Sequence, residues 1–109
     1  MYLILTSKPG IYRSQPLSGM RTVDAYDYYF YGEKKAHFAI AELTDDRARV
    51  RVIEDGTEIV NDVPCKFFPK FETMQGALNE IRHLTTFGHM ETDLRKAAVV
   101  SQPVLQAAS

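Results

Sequence analysis

The chain has a single cysteine, Cys65, so it cannot form an internal disulfide, and a scaffold stapled by disulfides is excluded. A basic excess is missing too. Lys and Arg number 13 against 14 Asp and Glu, a formal net charge of −1, whereas a general nucleic-acid binder carries a surplus of cations. No apolar run approaches the roughly 18 residues of a membrane-crossing helix. The opening MYLILTSKPG lacks both the basic lead and the apolar length of a signal peptide and reads as a first strand. Together these absences point to a cytoplasmic protein with no membrane role. There is no G-x-S-x-G, no phosphate-binding glycine loop, no H-E-x-x-H and no recognisable carboxylate pair. No residue is therefore assigned to catalysis, and no cofactor is expected.

What is present suits one small globular unit. The 109 residues are 45% hydrophobic and 25% charged, a usual balance for a single core. Residues 1–97 read as one α+β domain and residues 98–109, interrupted at Pro103, as a disordered tail.

The densest pattern is Ala25–Leu43. Tyr26, Tyr28 and Phe30 alternate with Asp27, Tyr29 and Tyr31, and a Gly-Glu-Lys-Lys break leads into a second apolar strand, the pattern of a hairpin. Burial selects the register that puts Tyr26, Tyr28 and Phe30 on the face of Phe38 and Ile40, because a one-residue slip would mix charge into the core. Asp27, Tyr29, Tyr31, His37, Ala39, Ala41 and Leu43 then share the other face.

Before this hairpin, Tyr2–Thr6 is an apolar strand covered on both faces or central in its sheet, and residues 11–23 read as a long connection. After it, Arg47–Glu54 alternates strictly, with Ala48, Val50 and Val52 opposite Arg47, Arg49 and Arg51. Asp55-Gly56 predicts a two-residue turn that pairs Val52 with Ile59 and Arg49 with Asp62, with a fifth strand at Thr57–Val60. Pro64 and Pro69 make the next segment a crossing, with Phe67, Phe68 or Phe71 as packing plugs. A helix begins at Glu72 or Thr73, capped by Thr73. It buries Met74, Ala77, Leu78, Ile81, Leu84 and Thr85 and ends at Gly88. Met90–Ala97 reads as a short second helix. The architecture expected is an antiparallel five-stranded sheet, an N-terminal strand plus a four-strand meander, packed by one C-terminal amphipathic helix.

The candidate surface is Tyr29, Tyr31 and His37 with the row Arg47, Arg49 and Arg51. Guanidinium groups hold phosphates, carboxylates or acidic partners, and tyrosine favours interfaces. Cys65, between Pro64 and Lys66, reads as buried and inert beside Phe67 and Phe68. His83 and His89 are six apart and miss helical ligand spacing, so they predict no metal site with His37 or Cys65. His83 instead complements the helix C-terminus.

The phrases LTSKPG, YDYYFYG, FAIAEL, RVRVIEDG and VPCKFFPKFET resemble a small uncharacterised bacterial protein family whose short members are sometimes labelled ferredoxin. The resemblance covers roughly residues 1–95 and brings no functional residue. An iron–sulfur cluster needs about four cysteines, or two with two histidines, so the label implies at most an accessory part beside a redox system.

The reading is a non-enzymatic accessory or protein-interaction module, partnered or self-associating through the sheet face that its helix leaves bare. The alternative is a small-molecule ligand or modest chemistry in a pocket between helix and sheet, lined by Tyr26, Tyr28, Phe38 and Met74 with His37 or Cys65 at its rim. Single-stranded nucleic acid over the tyrosines and arginines ranks last.

Overall fold

The computed structural model describes residues 1–86 and 92–99. Its elements run β1 (Tyr2–Ser7), β2 (Tyr12–Ser18), β3 (Met20–Phe30), β4 (Glu33–Leu43), β5 (Arg49–Glu54), β6 (Val60–Pro64), a 3₁₀ turn (Cys65–Phe67), α1 (Met74–Leu84) and β7 (Thr92–Lys96). The α+β class holds, but the single five-stranded sheet does not. The strands divide into two antiparallel sheets, one ordered β1-β4-β3-β7 and the other β2-β5-β6.

Three local features account for the difference. First, residues 11–23 are not a loop; they supply β2 and the start of β3. Their Ser, Gln and Pro content conceals a strand because β2 lies at a sheet edge. Pro16 is tolerated there, and the register slips between Pro16 and Ser18. The β2–β3 connection turns at Gly19, with φ +77°, where an added Cβ would come within 2.9 Å of Ala48 Cβ. Second, β5 and β6 are joined by a longer loop than a two-residue turn. Glu58 takes φ 59°, and Glu54 N–H reaches the Ile59 carbonyl at 2.9 Å. The register therefore pairs Val52 with Asn61 and Arg51 with Asp62, two residues from the expected alignment. The slip is even, so the buried face is preserved. Third, the expected helix over Met90–Ala97 is a strand where it is described. Thr92–Lys96 forms β7, pairing Leu94 with Tyr28 along the free edge of β3.

The aromatic hairpin has the expected faces, with Tyr26 opposite Phe38 and Tyr28 opposite Ala36. It turns through Tyr31 and Gly32, both at positive φ (51° and 80°), as a tight hairpin requires. A bulge at Val23, between the Thr22–Ala41 and Asp24–Ile40 pairs, moves the even-numbered side chains of β3 from one face to the other. Met20 accordingly packs in one core while Tyr26 and Tyr28 pack in a second.

Those cores lie on the two faces of the four-stranded sheet. Between the sheets, Leu3, Leu5, Met20 and Ala41 meet Ala48, Val50 and Cys65, all buried. On the helix side, Tyr28, Ala36, Phe38 and Ile40 meet Ala77 and Ile81, with Phe71, Leu78 and Leu94 around them. Strand β1 feeds both, as its apolar run suggests, although it is terminal in its sheet order. Beyond that edge, Tyr2 bridges to Phe71 and Lys8 to Tyr12.

Helix α1 is capped by Thr73, whose Oγ1 accepts the Gly76 N–H at 2.9 Å. Ala77 and Ile81 are fully buried, but Met74 and Leu84, at the ends of the same stripe, are 42% and 47% exposed. The helix closes at Thr85, whose N–H reaches the Ile81 and Arg82 carbonyls. Gly88, His89, Met90 and nearly all of the expected tail lie outside the described residues.

Candidate functional site

The six candidate surface residues lie on two different sheets. Tyr29 and His37 belong to β3 and β4 of the four-stranded sheet, and Tyr31 sits at the hairpin tip, 61% exposed, its ring edge-on to Phe30 at 4.7 Å. Arg49 and Arg51 belong to β5 of the other sheet, and Arg47 precedes it in a turn.

Around Tyr29 and His37 the sheet face is a lattice of paired charges. His37 Nδ1 lies 2.7 Å from Asp27 Oδ1, and Lys34 Nζ lies 3.2 Å from the same carboxylate. Arg95 lays its guanidinium over the Tyr29 ring at 4.3 Å and holds Asp93 at 2.6 Å. Burial works against the Asp27 charge, but His37 and Lys34 outweigh it and hold the carboxyl below the usual aspartate range. The rest of this face, with Leu3, Leu5 and Ala41, lies under the second sheet.

In the arginine row only Arg51 has a strong partner. It grips Asp62 with two bonds of 2.8 and 3.1 Å. Arg49 reaches no more than the Asp62 carbonyl, at 3.4 Å, and Arg47 lies 3.6 Å from Asp45.

Two further concavities lie elsewhere, between α1 and the sheets. One, about 410 Å³, is walled by Ile4, Ser14, Val52, Phe68, Phe71 and Glu80. The other, about 540 Å³, is walled by Lys8, Ile11, Tyr28, Lys35, Ala36 and Phe38. Both share Thr6, Tyr12 and Leu84, so they are two lobes of one cleft. Its surface is mostly apolar, with a few polar groups among the lining residues, a composition found in small-molecule sites. Ser14 Oγ donates to the Thr6 carbonyl at 2.6 Å, and Lys35 holds Glu33 at 2.7 Å. Among the described residues, the Tyr12 hydroxyl, the Lys8 ammonium and the Glu80 carboxylate have no such partner. Lys35 reaches the cleft from a bulge in β4, where Tyr28 faces Ala36 but Tyr29 faces Lys34.

Of the residues expected to line a helix–sheet pocket, Tyr28 and Phe38 do so; Tyr26, Met74, His37 and Cys65 line neither lobe. Cys65 is fully buried between the sheets, its Sγ 3.2 Å from the Asp46 carbonyl. Tyr26 donates its hydroxyl to Asp24 at 2.7 Å; Asp24 also accepts from the Ala25 N–H and lies 3.2 Å from Lys96. Burial, then the Asp24 contact, pushes the Tyr26 phenol up to about 12. Burial also opposes the Asp24 charge, but Tyr26, Lys96 and Ala25 together keep that carboxyl below its ordinary value.

Sequence reasoning missed Tyr12, Thr6 and Leu84, the residues that join the two lobes. Its available signal was Tyr12 directly after the Lys8-Pro9-Gly10 turn, an aromatic residue in an otherwise polar stretch. No protein-family model, no curated protein and no solved structure matches this chain.

Proposed function

We propose that this protein binds a small, elongated, largely apolar molecule in the cleft between α1 and the sheets. The supporting observation is the pair of adjoining lobes, about 410 and 540 Å³, that share Thr6, Tyr12 and Leu84. Each is within the range of ligand pockets, roughly 300–1,000 Å³. The apolar body lies along Ile4, Phe38 and Phe68. An acidic end meets Lys8 and the Tyr12 hydroxyl, and a donor group meets Glu80. The walls supply shape and a few polar anchors without a nucleophile–base pair, so the role is binding, not turnover.

A protein interface on the bare sheet face has less support. The second sheet occupies much of that face, and the remainder is committed to the Asp27–His37–Lys34 and Asp93–Arg95–Tyr29 contacts.

The test is amide chemical-shift mapping with a panel of aromatic and aliphatic carboxylic acids. Saturable shifts at Thr6, Tyr12, Phe38 and Leu84, lost in Thr6→Phe, are expected. No saturable shift from any member, or shifts scattered away from the cleft, overturns the reading.

A further inference from the structure

The second sheet carries a separate concavity of about 320 Å³, lined by Asp46, Arg47, Ala48, Arg49, Pro64 and Lys66. We propose that it is an anion site for the phosphate group of a small phosphorylated molecule.

The first argument is the distribution of partners around the cations. Asp62 spends both carboxylate oxygens on Arg51, leaving Arg49 only its carbonyl, at 3.4 Å. Asp45 accepts the Arg47 backbone N–H at 2.9 Å and lies 3.6 Å from the guanidinium. No carboxylate among the described residues comes within ion-pair distance of Lys66, whose ammonium sits 5.5 Å above the Phe67 ring. Three cations therefore converge on one hollow without a short carboxylate contact. Of the neighbouring acids, Asp62 is bonded to Arg51 although its charge still acts on Arg49, and Asp45 stays beside Arg47 at 3.6 Å.

The second argument is backbone placement. Arg49 pairs with Pro64 across β5 and β6, and the Cys65 N–H bonds to the Ala48 carbonyl at 2.9 Å. These contacts hold together the backbone of Ala48 and Pro64, beside which Arg47, Arg49 and Lys66 line the hollow. Asp46 is the one acidic lining residue, so the lining carries a double positive charge, which suits a phosphate monoester dianion better than a monocarboxylate. Two guanidinium forks and a mobile ammonium are also the donors that match tetrahedral oxygens. Lys66, absent from the sequence-level arginine row, takes the place that Arg51 gives up to Asp62.

The test uses the full chain and inorganic phosphate at constant ionic strength, with sodium chloride as the balancing salt. Amide and arginine side-chain resonances are followed by NMR. Saturable shifts confined to Asp46–Arg49 and Cys65–Lys66 are expected. Arg49→Ala and, separately, Lys66→Ala should weaken binding about tenfold, and Asp46→Asn should tighten it by a few-fold. Identical shifts from chloride alone, acetate binding as tightly as phosphate, or unchanged affinity in both alanine variants would each overturn the assignment.

Discussion

The two cores on either side of the four-stranded sheet are built differently. Between the sheets, small and medium side chains close completely, with Leu3, Leu5, Val50, Ala41 and Cys65 each exposed by no more than 1%. On the helix side the residues are larger and more aromatic, yet one helix cannot span the sheet. Ile81 and Ala77 seal the middle, while Leu84 remains half-exposed at the lip of the cleft. One face thus closes fully, and the other leaves a cleft open beside Leu84.

The largest effect should come from the closed core. Leu5→Ala is expected to lower unfolding free energy by about 2–5 kcal/mol in urea titrations, while cleft-directed shifts survive in whatever remains folded. Phe38→Ala removes more atoms but borders the cleft. It should cost only about 2 kcal/mol, below the usual aromatic truncation, and should abolish ligand shifts. If Phe38→Ala costs as much as Leu5→Ala, the contrast between the cores fails.

Asp24→Ala comes next. It removes the partner of the Tyr26 hydroxyl beside the helix-side core and should cost about 1–2 kcal/mol, read by thermal unfolding. The same groups give that side a pH dependence. The folded Asp24 carboxyl titrates below its ordinary 3.8. Its stabilisation is therefore present above that value and lost as pH falls through the lower folded one. Tyr26 is shifted the opposite way, from 10.0 to about 12. Its contribution is complete below 10.0 and disappears as pH rises toward about 12. Methyl resonances of Ile81 and Ala77 should broaden at both extremes before those of Val50; the reverse order would contradict the assignment.

The smallest effect is at the hairpin tip. Tyr31 holds φ 51°, a conformation that costs a side chain about 1 kcal/mol and that asparagine tolerates better. Tyr31→Asn should raise stability by somewhat less than that in chemical denaturation. A loss would mean that the Tyr31–Phe30 ring contact outweighs the backbone strain.

The sequence was legible wherever one residue pattern served one partner. The strand β3–β4 register followed from keeping Tyr26 and Tyr28 with Phe38, and the Thr73 cap followed from a hydroxyl ahead of the Met74–Ile81 stripe. It misled where a strand borrowed its reason from a neighbour. Strand β2 is polar because it is an edge, and β7 is a strand because β3 offers it an open ladder. Bulges hid the rest: the extra residue at Val23 sends one strand into two cores, which no strict alternation reveals. The candidate site divided for a similar reason. Arg51 and Arg49 look equivalent in the alternation, yet the register places the Asp62 carboxylate in hydrogen-bond reach of Arg51 and leaves Arg49 the Asp62 carbonyl.

Strand β1 has a consequence for how the molecule is made. It is synthesised well before its ladder partner β4, which ends at Leu43, and the two intervening strands must be made before it can dock. Pairing that joins such distant parts of a chain is slow, because loop closure is needed before any contact forms. Until then Leu3, Ile4 and Leu5 form an uncovered, uncharged, strand-prone segment, the kind that recruits copies of itself. The residue run that later walls both cores is thus the one most exposed to misassembly on the way.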